Sequence, residues 1–175
     1  MKIFIAGLLL FLASTVNCGR ILFAAPFGSK SHQNSYIPLI KKLAQRGHYI
    51  TLITNYEVKD LNPLFNVEQI ELDLKLDPGM FGDAFKNAIE EISPFANAVA
   101  TAKRLENLPG KVAHELYSDE RVLQLMKTGK FDMVMVSHVF GFIEYPLAWH
   151  FNATLAIFSP VSETIFRFIS ISFPF

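Results

Sequence analysis

The sequence predicts an α/β protein with a Rossmann-like parallel sheet that carries helices on both faces. Short apolar runs rich in β-branched and aromatic residues recur along the chain, and segments of helical character separate them. This alternation favours parallel strands, because such strands need crossover connections that cover the sheet. With 51% of its 175 residues hydrophobic, the chain can bury the core of one such domain. The predicted strands are residues 20–26, 49–54, 67–72, 131–137 and 154–158.

The first strand and the segment after it form a predicted βα unit. Apolar residues recur at helical spacing from Tyr36 to Ala44, which indicates an amphipathic helix. Asn34 or Ser35 is the expected N-cap, and Gly47 is expected to end the helix.

The predicted helices elsewhere are less regular. Residues 81–127 have mostly helical composition, with expected breaks near Pro94 and at Leu108-Pro109-Gly110. A further helix is predicted over residues 142–151, weakened by Pro146. There is no internal repeat, low-complexity tract or linker.

The turn after the first strand does not form a phosphate-binding loop. Gly28-Ser29-Lys30-Ser31 only partly matches the P-loop pattern, because Phe23 stands where the upstream glycine is required. No G-x-G-x-x-G motif occurs in the chain. Ligands of parallel sheets nevertheless gather at the carboxyl ends of the strands, where this turn and Ser137-His138 are both predicted to lie. Some other chemistry is therefore expected there.

The first eighteen residues are typical of a secretory signal peptide. Lys2 precedes an apolar run over residues 3–13, and small or neutral residues follow up to Cys18. The run is shorter than the roughly 20 residues of a membrane span, which makes an anchor the weaker interpretation. Cleavage would leave a domain of residues 19–175 without a cysteine, and hence without a disulfide. It would remove one of 16 basic and none of 16 acidic residues, and a net charge of −1 does not favour nucleic acid as a partner.

Three motifs together resemble a known family. Ser31-His32 is followed by a helix and then by Arg46-Gly47-His48 with a β run over residues 49–54. A second match is the segment Phe-Asp-Met-Val-Met-Val at residues 131–136, and a third is Leu-Ala-x-x-Phe-Asn at residues 147–152. Because these motifs occur in this order and follow a predicted signal peptide, the chain resembles animal-type UDP-glycosyltransferases.

The resemblance implies the N-terminal, acceptor-binding half of a GT-B glycosyltransferase. Such an enzyme transfers a sugar from a UDP-sugar to a hydroxyl of a small lipophilic acceptor, and its C-terminal domain, expected to be absent here, binds the UDP-sugar. No metal or cofactor is implied beyond that co-substrate. The resemblance further implies localisation in the endoplasmic reticulum lumen and a membrane anchor in a full-length form. It also implies homo- or hetero-oligomers with related transferases. The chain alone is expected to be inactive.

The resemblance places His32 at the position of the family's general base. An imidazole is suited to accept the proton that an acceptor hydroxyl loses near neutral pH. Ser137 stands where the family has the carboxylate that orients this base. A serine can accept a hydrogen bond but cannot stabilise an imidazolium with a formal charge, so either activity is reduced or another carboxylate, such as Glu144, takes its place.

Other candidate residues rest on weaker signals. Asn152-Ala153-Thr154 is a glycosylation sequon in a luminal chain. His48 and His114 are expected to be structural, and His138, His150 and Glu144 match no metal-site spacing. Four phenylalanines are candidates for the wall of an acceptor pocket, with ordinary core packing as the alternative: Phe81, Phe85, Phe95 and Phe140.

Two other functions remain open at this level. A catalytically silent product could bind lipophilic ligands or pair with full-length relatives, which the serine at position 137 favours. An unrelated secreted binding protein with a Rossmann-like fold is the third alternative.

Overall fold

One parallel sheet of five strands organises the protein. The computed structural model describes residues 18–74, 106–138 and 141–159, and the five predicted strands are confirmed within these ranges with small changes at three ends. The strand order is β3-β2-β1-β4-β5, and every pair of neighbours is parallel. The strands are β1 Arg20–Ala25, β2 Tyr49–Thr54, β3 Val67–Glu71, β4 Met133–Ser137 and β5 Thr154–Phe158.

Helices cover both faces of this sheet, as predicted. Helix α1 (Lys30–Gln45) packs on the face that carries Ile21 and Phe23 of β1. The opposite face, which carries Leu22 and Ala24, packs against three further helices. These are α2 Leu108–Ser118, α3 Glu120–Thr128 and α4 Tyr145–Phe151. Two cores on opposite faces are the expected consequence of side chains that alternate along buried parallel strands.

The start of α1 differs from the sequence prediction. Ser29, rather than Asn34 or Ser35, is the N-cap: its backbone is extended, and its side chain accepts a hydrogen bond from the peptide N–H of His32. The prediction was wrong because the first helical turn is polar, so the apolar periodicity begins only at Tyr36. Gly47 ends the helix as predicted, with φ of 90° in the left-handed region that favours glycine.

Prolines lie in the first turns of two helices instead of breaking them. Pro109 in α2 and Pro146 in α4 occupy early positions whose missing N–H costs no helical hydrogen bond. The expected break at residues 108–110 is therefore a helix start, and the actual break separates α2 from α3 at Asp119, which caps α3. The part of the predicted helical stretch that contains Pro94 lies outside the described residues, as do residues 1–17 of the predicted signal peptide.

None of the helices within the described ranges combines the length and the apolar character needed to cross a membrane. Two short 3-10 segments, Lys59–Leu61 and Gly141–Ile143, complete the secondary structure of these ranges.

Candidate active site

The candidate site lies where β1 and β4 end side by side. Ala24 pairs with Val136 in parallel register, so the turn from β1 into α1 and the residues after β4 meet at one edge of the sheet. The strand order changes direction between β1 and β4, and such switch points form binding crevices in α/β proteins. The sequence prediction that these two segments meet is confirmed.

His32 and His138 approach each other at this edge. His138 directly follows β4, and its peptide N–H donates to the carbonyl of Phe158 at 2.9 Å. Although the residue is exposed overall, partial burial of its ring lowers the pKa of His138 below the ordinary value, and the nearby charge of His32 lowers this pKa further. The structure therefore brings the predicted base within electrostatic range of a second imidazole.

Buried amides fix the turn that carries His32. Gln33 Nε2 donates to Thr54 Oγ1 at 2.7 Å and to Asn55 Oδ1 at 3.3 Å. Asn55 Nδ2 in turn donates to the carbonyl of Gly28 at 3.1 Å. These bonds join the first turn of α1 to the end of β2 in a water-excluded place, where polar groups are costly to leave unpaired. The backbone of His32 is thus held rigidly against the sheet.

Sequence reasoning missed this amide network. Thr54 is the last residue of β2 and Asn55 follows it, at the strand end where functional polar side chains gather in parallel sheets, so the strand-end rule could have found them. Gln33 gave no such signal, because a single glutamine in the polar first turn of a helix is ordinary.

The ring of His32 is also held by its helix cap. His32 Nδ1 lies 2.8 Å from Ser29 Oγ, and Ser29 Oγ lies 2.7 Å from Ser31 Oγ. Within the described residues, Nε2 of His32 has no hydrogen-bond partner in the structure. One ring nitrogen is therefore engaged, and the other has no partner among the described residues.

Ser137 is placed on the same side of the sheet as α1. It is 8% exposed, and it alternates in phase with Met135, which packs in the core beneath α1. The position that the resemblance assigns to a carboxylate thus lies at the end of β4, on the face of the sheet that α1 covers, and holds a hydroxyl.

Glu144 is an unsuitable substitute for that carboxylate. Its side chain is buried, and its chain neighbours Ile143 and Leu147 belong to the core on the other side of the sheet, which packs against α2 and α4. Burial raises the pKa of Glu144 to about 8. Its charge couples to Tyr117, whose pKa is raised to about 12 by burial and then by Glu144. The acid is therefore mostly protonated at pH 7, and it lies within electrostatic range of a phenol on the face of the sheet opposite α1.

The other histidines have structural contacts. His48 Nδ1 accepts a hydrogen bond from the N–H of Gly19 at 3.0 Å, and His114 Nδ1 lies 3.1 Å from Ser118 Oγ on an exposed helix face. His150 Nε2 donates to the carbonyl of Met126 at 2.7 Å. In the three described ranges, no group of three or more His, Cys, Asp or Glu side chains is placed to hold a metal ion.

The candidate pocket residues lie outside the described part of the chain, whereas the candidate glycosylation site lies within it. Phe81, Phe85, Phe95 and Phe140 lie outside the described residues, so their assignment to an acceptor pocket stays a prediction. Asn152 is exposed and ends α4 in the left-handed conformation, with φ of 53°. Its side chain is accessible, while Thr154 of the same sequon already begins β5.

Comparison with known proteins decides the family. No family model matches the chain. A curated relative, "UDP-glucosyltransferase 2" from Dactylopius coccus, is 30% identical over 156 residues, which cover 88% of this chain. The chain belongs to the UDP-glycosyltransferase family. This UDP-glycosyltransferase domain spans 29% of the length of that relative.

A solved structure supports the fold of this UDP-glycosyltransferase domain. The crystal structure of the calicheamicin glycosyltransferase CalG4 matches 82% of the chain and 32% of its own chain, with a TM-score of 0.51 and 19% sequence identity. At this identity the likeness concerns the fold alone. It confirms the predicted Rossmann-like architecture of a GT-B glycosyltransferase.

Proposed function

We propose that this domain forms the acceptor-binding half of a UDP-glycosyltransferase and that His32 is its general base. The observation that carries the proposal is the position of His32 at the carboxyl edge of β1, beside the end of β4. The buried amide network fixes its backbone, and Ser29 engages Nδ1 while Nε2 remains available. A base must be within reach of the proton that it removes, and this edge is where ligands of such sheets bind.

The proposed reaction is an inverting sugar transfer. The acceptor oxygen attacks the anomeric carbon of a UDP-sugar as its proton passes to His32 Nε2, the bond between that carbon and the UDP oxygen breaks, and UDP leaves. A positioned general base contributes roughly 10²- to 10⁴-fold to the rate. In this proposal the UDP-sugar is a co-substrate bound mainly by parts of the enzyme beyond this domain, and no further cofactor takes part.

The resemblance also suggests the acceptor and the cellular setting. A small lipophilic alcohol or phenol is the proposed acceptor, with Phe81, Phe85, Phe95 and Phe140 as candidate pocket residues. The endoplasmic reticulum lumen, with a membrane anchor in a full-length form, is the proposed location, and Asn152 is the proposed glycan site. Assembly with related transferases is part of the same proposal.

A catalytically silent domain is the second candidate, and Ser137 favours it. A carboxylate at the end of β4 would stabilise the imidazolium that forms when His32 takes a proton, and a hydroxyl supplies no charge. Such a domain would bind lipophilic ligands or pair with active relatives without carrying out transfer.

The variant Ser137→Asp tests these alternatives. The chain is joined to the remaining part of the Dactylopius relative, and sugar transfer from UDP-glucose to a set of phenols and alcohols is measured. We expect transfer by the unchanged chain, with a kcat raised roughly tenfold by Ser137→Asp, because a nearby negative charge favours the imidazolium that forms as His32 takes the proton, and about 1.4 kcal/mol corresponds to a tenfold change in rate. Ser137→Asn, which adds volume without charge, is the matched control.

The outcomes separate the two candidates. Transfer by the unchanged protein supports the proposed function, and transfer that appears only with Ser137→Asp supports the silent domain. No transfer by either protein, despite folded material that binds UDP-glucose, would contradict the proposed function.

A further inference from the structure

Ser29 contacts His32 twice. Its Oγ accepts the peptide N–H of His32 at 3.4 Å as the cap of α1, and the same oxygen lies 2.8 Å from the imidazole Nδ1. His32 is the third residue after this cap, the position from which a capping-box side chain folds back over the N-cap residue. Helix geometry therefore places the ring against the hydroxyl.

The hydrogen bonds of this hydroxyl can be arranged in two ways. Ser29 Oγ has one proton to donate and two lone pairs, and the peptide N–H of His32 occupies one lone pair. In the first arrangement Nδ1–H donates to Ser29, and Ser29 donates to Ser31. In the second, Ser31 donates to Ser29, and Ser29 donates to an unprotonated Nδ1. Both satisfy all three hydroxyl contacts, so the distances alone do not select one.

The function of a base selects the first arrangement. With the proton on Nδ1, the lone pair of Nε2 is available to an acceptor hydroxyl, whereas the second arrangement places a proton on Nε2. When Nε2 takes a proton, the first arrangement is unchanged, because Nδ1–H remains a donor. In the second arrangement Nε2 already carries a proton, so the imidazolium forms by protonation of Nδ1. Both hydroxyls would then have to reverse, since a protonated Nδ1 cannot accept a hydrogen bond.

We infer that Ser29 is the positioning residue of His32. The Oγ of Ser29 accepts a hydrogen bond from the Nδ1–H of His32 and thereby holds the ring in the tautomer that a general base needs. This inference rests on the proposed function of His32. It gives the base a neutral orienting partner on its own helix, while the carboxylate position at the end of β4 holds Ser137. Ser31, which is exposed, ends the chain of hydroxyls at the solvent.

The tautomer of His32 can be measured without any sugar transfer. The 175-residue chain is labelled with ¹⁵N-histidine, and the signals of His32 are assigned by their loss in His32→Gln. The ring nitrogen that carries the proton is then identified at a pH at which the ring is neutral. We expect the proton on Nδ1. In Ser29→Gly we expect it to shift toward Nε2, the position that free histidine favours in water. Glycine caps helices nearly as well as serine, so this variant removes the hydroxyl with little loss of the cap.

Two controls accompany this measurement. Ser29→Thr keeps a capping hydroxyl and should keep the proton on Nδ1. Ser118→Ala removes the corresponding hydroxyl beside His114 and should leave His32 unchanged. A neutral His32 with its proton on Nε2 in the unchanged chain, or a tautomer that Ser29→Gly does not alter, would overturn the inference.

Kinetics distinguish this inference from the proposed function. In the protein completed with the remaining part of the relative, Ser29→Gly should lower kcat roughly two- to tenfold with little change in KM, and Ser29→Thr should restore it, as expected for one neutral hydrogen bond. If His32→Ala lowers kcat but Ser29→Gly leaves it unchanged, the inference on Ser29 is wrong and the base stands. If His32→Ala has no effect, the proposed base is wrong, whatever tautomer the ring has.

Discussion

Replacement of His32 by alanine is expected to lower kcat for sugar transfer by at least roughly 100-fold in the chain joined to the remaining part of the Dactylopius relative. The acceptor must lose its proton as it attacks the anomeric carbon, and without Nε2 that proton has no positioned acceptor. The effect should fall on kcat and kcat/KM alike, because the interaction is made in the transition state and not with the bound acceptor. Initial rates over a range of acceptor concentrations give both constants.

His114→Ala is the matched control for this loss. His114 also has its Nδ1 beside a serine hydroxyl, but it lies on an exposed face of α2. Its removal should leave both kinetic constants unchanged. A His32→Ala protein with unaltered kcat would refute the assignment of the base.

Replacement of Glu144 by glutamine is expected to stabilise the domain at pH 8 and to change the pH dependence of its stability. Glu144 is 1% exposed, and one of its carboxyl oxygens has no hydrogen-bond partner among the described residues. Burial raises its pKa from 4.5 to about 8, so the folded protein keeps a proton that the unfolded chain loses. The favourable contribution of the protonated acid is complete below pH 4.5 and is lost as the pH rises through about 8.

The size of this effect follows from the two pKa values. Each pKa unit corresponds to about 1.4 kcal/mol, so a full loss of up to about 5 kcal/mol is spread over the range between the two pKa values. This is comparable with the whole stability of many domains. Glutamine has the shape of the protonated acid and cannot ionise, so it should remove this component of the pH dependence.

The difference between variant and unchanged chain is the quantity to measure. Two other groups have lowered pKa values in the folded protein: His138 and Asp119, whose carboxyl binds Arg121. Their contributions to the free energy of unfolding increase with pH, and these contributions cancel in the difference. Urea unfolding at several values between pH 5 and 8.5 gives the free energies, and Glu115→Gln on the exposed face of α2 is the control. A difference that does not grow with pH would contradict the burial of an ionisable Glu144.

The sequence predicted the parts of the fold that depend on repeated patterns. The strands were correct because apolar β-branched runs recur between helical segments, and the meeting of the β1–α1 turn with Ser137-His138 follows from the rule that parallel strands end at one edge. The resemblance supplied the family and the candidate role of His32.

Features that depend on single polar residues were not predictable in the same way. Ser29 was not recognised as the cap of α1 because the first turn presents no apolar residue that marks the helix. The bond from Gln33 to Thr54 joins residues that are distant in sequence and unrelated by any pattern. The burial of Glu144 was hidden because a lone glutamate in a sequence is ordinarily a surface residue.

The most direct test of the central claim is to locate where ligands bind on this domain. The five histidines of the ¹⁵N-labelled chain serve as probes, because His32 and His138 lie at the candidate site while His48, His114 and His150 lie elsewhere. Titration with 1-naphthol, a lipophilic phenol, should shift the ring signals of His32 and His138 saturably and leave the other three unchanged. UDP should shift none of them. Saturable shifts of His32 and His138 with UDP, or naphthol-dependent shifts at the other three histidines only, would contradict the assignment of this domain to acceptor binding.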